Sequence, residues 1–139
     1  MSTISESQLH LEPTALGVRA IGPWLQAATD HLDADVAAAV FPRAELAVHE
    51  ACMNVIDHAN LVTGSAIEVI LELRDECLTV RIRDCGDEVE LPTAATPRDP
   101  LSERGHGLKI IRSLVNEVSY RRIGSTNELE LRIDIGRTP

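Results

Sequence analysis

Two runs of alternating hydrophobicity, set back to back, limit what this chain can fold into more than any other feature. Ile67, Val69, Leu71 and Leu73 alternate with Glu68, Ile70, Glu72 and Arg74; Leu78, Val80 and Ile82 alternate with Thr79, Arg81 and Arg83. Successive strand side chains point to opposite faces, so a period of two marks one buried and one wetted face. A short polar turn around Asp75-Glu76 separates the runs, which predicts an antiparallel hairpin. Leu129, Leu131, Ile133 and Ile135, alternating with Glu128, Glu130, Arg132 and Asp134, predict another strand. Residues 117–122 predict its partner, with a turn at Gly124-Ser125. Leu9 and Leu11 alternate with His10 and Glu12, the pattern of a short strand; residues 1–7 are polar and read as loose.

Helical signals lie between these runs. Pro13-Thr14 opens a helical stretch of roughly residues 14–32, and residues 33–40 either extend helix or connect. Pro42 suits the first turn of a second helix over about 42–61, with Gly64 as its stop signal. Leu108, Ile111, Leu114 and Val115 recur at helical spacing, predicting a helix over about 106–116 with a glycine-rich start. Strands with one wet face do not suit a doubly wound parallel sheet, which is apolar on both faces. The expectation is an α+β fold: a two-layer α/β sandwich with a mostly antiparallel sheet and helices on one face. The 139 residues fit one domain spanning 1–139.

Composition narrows the function classes. One Trp, one Tyr and one Phe leave the core to aliphatic side chains. A net charge of −9 argues against a nonspecific nucleic-acid binder, which would need a basic patch. The three cysteines, Cys52, Cys77 and Cys85, have no CxxC spacing, so neither a disulfide framework nor a zinc site is expected. The N-terminus has no signal-peptide pattern, and no apolar run approaches the ~18 residues of a membrane span. The expected setting is soluble and cytoplasmic, without membrane or direct nucleic-acid contact.

Three constellations could carry chemistry. On the second helix, Glu50, Asn54 and Asp57 stand four and three residues apart, opposite the core-facing Val48, Cys52, Val55 and Ala59. A carboxylate and an amide one turn apart can serve a hard cation or a hydroxyl beside it, although the spacing equally describes a solvated helix face. Asp84-Cys85-Gly86 follows the strand LTVRIRD. There an aspartate can accept from an exocyclic amine and a glycine lets a planar ligand approach; an ordinary turn uses the same residues. Arg104-Gly105-His106-Gly107-Leu108 opens the third helix, where backbone N–H groups, the helix dipole and an arginine favour an anion. It is neither a P-loop nor a dinucleotide fingerprint, since GxxxxGK[ST] is absent and Ile110 stands where a third glycine would be. A simple loop-to-helix turn remains the other reading. The stretch from Cys85 to Arg104 has no period, with acidic residues early and then three prolines, Pro92, Pro97 and Pro100. A structureless stretch of that length is usually functional.

The order of these pieces resembles the GHKL ATPase superfamily, above all the anti-sigma factor serine/threonine kinases. LAVHEACMNVIDHA resembles the family's N box, VRIRDCG its first glycine box and ERGHGLKIIRSLVNEVSY its second, over residues 9 to 135. The resemblance implies a histidine-kinase-type, Bergerat ATP-binding fold with ATP and Mg²⁺ as ligands. It implies that Asn54 coordinates Mg²⁺ and that Glu50 orients or deprotonates the attacking hydroxyl. Asp84 would bind the adenine amine, Gly86 would shape its pocket, and Thr126 would touch that pocket. Arg104, Gly105, His106, Gly107 and Leu108 would form the phosphate cradle, residues 87–104 the lid, and His58 a supporting position at the end of the N box. Glu88 departs from the family's DxGxG pattern. It and Asp87 put two negative charges near the phosphates, which would cost about 1 kcal/mol of ATP binding if partly buried.

By the same resemblance, the partners would be a STAS-type anti-sigma factor antagonist, which is the substrate, and a sigma factor, with the chain itself a homodimer. The alternative is a nucleotide-binding module that sequesters a partner without phosphoryl transfer. A detached histidine kinase ATP domain is a third reading, disfavoured because no helical pair with a phosphoacceptor histidine precedes it.

Overall fold

The computed structural model describes residues 5–58, 61, 64–74, 76–87 and 103–135, with the side chains of His58 and of residues 103–107 outside that set. The chain runs β1 (Ser5–Leu11), a 3-10 turn (Gly17–Ala20), α1 (Ile21–Thr29), α2 (Ala34–His58), β2 (Ile67–Arg74), β3 (Cys77–Asp84), α3 (Glu103–Leu114), β4 (Glu117–Ile123) and β5 (Thr126–Asp134). The strands form a five-stranded sheet in the order β1-β2-β3-β5-β4, and every neighbouring pair is antiparallel. This is the expected two-layer arrangement. No helix among the described residues is long and apolar enough to cross a membrane.

Alternation fixes the register. Val69, Leu71 and Leu73 on β2 pair with Ile82, Val80 and Leu78 on β3, which pair in turn with Leu129, Leu131 and Ile133 on β5. A slip of one residue would turn this apolar set out to water. The helices cover it with Ile21 and Leu25 of α1, the small residues Ala44, Ala47 and Ala51 of α2, and Ile111 of α3. Full burial of one such leucine or isoleucine contributes about 1.5–3 kcal/mol. Gly124 sits at φ +61, the left-handed conformation that the tight β4–β5 turn needs.

Element ends differ from the sequence expectation. β1 starts at Ser5, so residues 5–7 pair with Leu71–Leu73 of β2 and are not loose. The helix expected over 14–32 shortens to a 3-10 turn and α1. Thr14 Oγ1 takes the Gly17 N–H at 2.9 Å, a local bond that competes with regular helix. Pro42 does not start a helix but lies inside α2, which takes in the ambiguous residues 34–40. Ala-rich sequence favours helix there, and Phe41 and Val36 pack on the core. The missing N–H leaves only the carbonyl of exposed Ala38 without its helix partner, and water can serve it. α2 ends at His58, and α3 begins at Glu103, earlier than expected.

The far face of the sheet is an ion-pair lattice. His10, Glu68, Arg83, Glu128 and Arg121 stand in one cross-strand row over all the strands. Arg81 bridges Glu72 and Glu130 in the next rows. Ile70, expected on the wetted face, is buried among these side chains. Long arginine stems readily cover an apolar neighbour in this way.

Candidate functional site

The tip of β3 carries a buried polar arrangement joined by side-chain hydrogen bonds. Asp84 is the last residue of the strand, shares the core-facing side with Ile82, and is only 5% exposed. Its Oδ1 accepts the Gly86 N–H at 2.8 Å and the Asn127 amide Nδ2 at 2.9 Å. Among the described residues nothing donates to Oδ2. A buried carboxylate with one oxygen engaged and one left to accept fits a single N–H donor of a ligand.

Asn127 was not foreseen as a site residue. It is 2% exposed and sits opposite Asp84 in the β3–β5 register. Its Nδ2 also reaches Asp87 O at 2.7 Å and Gly86 O at 3.3 Å. Its Oδ1 accepts from Tyr120 Oη at 2.6 Å and Arg122 Nη1 at 2.8 Å, and the same Nη1 donates to Gly86 O at 3.1 Å. The signal for it was available: residue 127 is in phase with Leu129, Leu131 and Ile133, so an amide there is a polar group on an apolar face.

Thr126 lies one residue earlier and therefore on the other face. Its Oγ1 is 4.0 Å from Cys85 Sγ, and both line a cavity of about 360 Å³ with Glu68, Arg83 and Glu128. Asp84 lines the same cavity, so the structure brings Thr126 near it in space, but the residue that engages the Asp84 carboxylate is Asn127.

Glu50 and Asn54 are half-buried on one face of α2, with Asp57 exposed beyond them. No ion pair or side-chain hydrogen bond joins Glu50 or Asn54 to another described residue, so both groups are available to a ligand from within that set. The described residues also hold no cluster of three or more His, Cys, Asp or Glu side chains that could bind a metal unaided. A cation held by Asn54 would need most of its oxygens from a bound molecule and water, as Mg²⁺ commonly does with phosphates.

α2 packs on α3, and Arg43 anchors the pair. Its Nε donates to Leu114 O at 2.9 Å, and its Nη2 reaches Asn116 Oδ1 at 3.4 Å. The last carbonyls of a helix have no internal partner, so this arginine caps α3. Arg104, Gly105, His106 and Gly107 form the opening of α3, whose free backbone N–H groups and dipole suit an anion. Leu108 behind them is buried. Glu88 and nearly all of the expected lid, 88–102, lie outside the described residues.

The chain has relatives of known type. A family model, the histidine kinase-like ATPase domain, matches residues 13–133. No curated protein sequence matches. Among solved structures, the RsbU and RsbW domains of Rv1364c from Mycobacterium tuberculosis superpose with TM-score 0.69 at 17% identity, covering 96% of this chain and 33% of that one. The histidine kinase domain of a blue-light activated histidine kinase from Erythrobacter litoralis superposes with TM-score 0.55 at 16% identity, covering 81% of this chain and 60% of that one. This chain spans about a third of the first structure's length. Such identities speak for the fold, whereas the family match runs from the first helical turn to the end of β5 and takes in the α2 stripe, the Asp84 tip and the glycine-rich start of α3. With those pieces in that order, the chain belongs to the histidine kinase-like ATPase domains of the GHKL superfamily, a family built to bind ATP.

Proposed function

We propose that this domain is an ATP-dependent serine/threonine protein kinase of the anti-sigma factor type, which phosphorylates a STAS-type antagonist and, when not so engaged, sequesters a sigma factor. The observation that carries the nucleotide site is the buried Asp84, whose Oδ1 is engaged by Gly86 and Asn127 while Oδ2 can accept the adenine amine. The RsbW domain named in the M. tuberculosis structure supports the partner-switching reading.

The residues divide the work by their chemistry. Asp84 and Gly86 hold the adenine. The α3 opening, with Arg104, Gly105, His106, Gly107 and Leu108, offers N–H groups and a cation to the phosphates. Leu114 is fixed beside Arg43, and α2 leads from there to His58 before the chain re-enters the sheet at Ile67, the end that carries Asp84. This course favours one cleft for Glu50, Asn54, Asp84 and the start of α3. Mg²⁺ held through Asn54 would neutralise charge on the phosphates. Glu50 accepts the proton of a substrate serine or threonine as its oxygen bonds to the γ-phosphorus; the bond from that phosphorus to the bridging oxygen breaks and ADP leaves. A phosphate on the antagonist then adds up to two negative charges to an interface of this acidic protein and disfavours rebinding. The reading takes the protein to be a cytoplasmic homodimer.

Radiolabelled ATP with Mg²⁺ and the STAS-domain proteins of the same organism test it. The expected outcome is phosphoserine or phosphothreonine on one of them, with Glu50→Ala slowing transfer about 100-fold or more while ATP still binds. A wild-type chain that binds ATP yet transfers no phosphate would instead be a module that sequesters its partner without catalysis.

A further inference from the structure

Asn127, Arg122 and Tyr120 form a clamp under the Asp84–Asp87 turn, and its donors and acceptors fix which way the Asn127 amide faces. Arg122 can only donate, so the Asn127 oxygen must face it, and Tyr120 Oη fills that oxygen's second lone pair. The amide nitrogen must then face the turn, where its two protons serve Asp84 Oδ1 at 2.9 Å and Asp87 O at 2.7 Å, with Gly86 O at 3.3 Å sharing. Asn127 therefore cannot flip without setting its oxygen against a carboxylate and two carbonyls. β4 and β5 supply all three residues, so the terminal hairpin, not β3 alone, sets the carboxylate's orientation.

We propose that Asn127, locked by Arg122 and Tyr120, is the positioning residue that makes the site select a purine bearing an exocyclic amine. The proposal rests on the reading of Asp84 as the adenine acceptor. Asn127 and the Gly86 N–H together fill Oδ1 and leave Oδ2 to accept, and the Asn127 bond is the side-chain contact that fixes the carboxylate's direction. A base with a carbonyl in place of the amine would set oxygen against oxygen and be rejected, since an unpaired buried acceptor is costly. An asparagine with a merely architectural role would affect all nucleotides alike.

The test measures the affinity of the full chain for ATP and for purine riboside triphosphate, which lacks the amine, in wild type, Asn127→Ala and Asn127→Asp. A hydrogen bond to a charged group predicts that wild type prefers ATP by about 10-fold or more. In both variants ATP should fall to the level of the analogue, bringing the ratio near one, while circular dichroism and thermal melting report a folded domain. If Asn127→Asp does not fold, Asn127→Ala, which adds no charge, gives the ratio. A ratio retained in a folded variant, even with both affinities lowered, overturns the positioning role and leaves the nucleotide site standing. Equal binding of both nucleotides by wild type overturns the amine contact as well. No ATP binding by wild type overturns the proposed function and this inference together.

Discussion

Arg83 Nε lies 2.7 Å from Glu128 Oε1, and that glutamate is 1% exposed although it sits on the face of the sheet opposite the apolar core. Arg121 Nε takes the other oxygen at 2.5 Å. The row ties β3, β5 and β4 together beside the strand ends that carry Asp84 and Asn127.

Burial alone would push the Glu128 carboxyl up, but the hydrogen bonds and charges of Arg83 and Arg121 outweigh it and hold the group below its ordinary value of 4.5. A depressed carboxyl contributes stability above its unfolded pKa, and that contribution is lost as pH falls through the folded value. Glu128→Gln should lower stability by about 1–2 kcal/mol at pH 7. Both arginines keep access to water, so the loss stays below that of a fully buried pair. The gap between thermal melts of the two proteins should narrow as pH is lowered from 7 to 3; a constant gap would contradict this.

Cys52 presents the reverse sign. Burial pushes its thiol up to about 12, whereas Cys85 is exposed. Its neutral form contributes stability below the ordinary value of 9.0, and this is lost as pH climbs from there toward about 12. Iodoacetamide at pH 8 should modify Cys85 and spare Cys52 until the chain is unfolded, as peptide mass spectrometry would show.

Arg43 links the fold to the site. Arg43→Ala removes the cap on Leu114 and should cost about 1 kcal/mol. Hydrogen exchange should speed up across Glu103–Leu114 more than in the sheet, and ATP affinity should drop with it, because that helix begins at the proposed phosphate cradle. Unchanged exchange in α3 would show that Arg43 does not anchor it.

Pro42 leaves α2 one backbone bond short. Pro42→Ala should stabilise the domain by about 1–3 kcal/mol, visible as a higher urea midpoint with an unchanged slope. A lower midpoint would mean that the ring's packing matters more than the missing bond.

The sheet was legible because its strands keep a strict two-residue period with charge on one face, as in Glu128-Leu129-Glu130-Leu131. Helix limits were not. Pro42 reads as a start signal, whereas α2 runs through it with Val36, Val40 and Phe41 packed on the core. At the site, Asp84 and Gly86 were visible as a strand-end pair, and the hydrogen bond between them is the local turn contact that Asp and Gly form at a strand end. Asn127 was less legible because it precedes the clear alternation of Leu129, Leu131 and Ile133, although the same phase points it at Asp84. Asp84 and Asn127 are far apart in the chain, and only the register of β3 with β5 makes them partners.

A calorimetric titration of ATP, with and without Mg²⁺, into wild type, Asp84→Ala and Asn54→Ala tests the central claim most directly. Wild type should bind, Asp84→Ala should lose binding in both conditions, and Asn54→Ala should lose mainly the part that depends on Mg²⁺. Equal affinity in all three proteins would contradict the site.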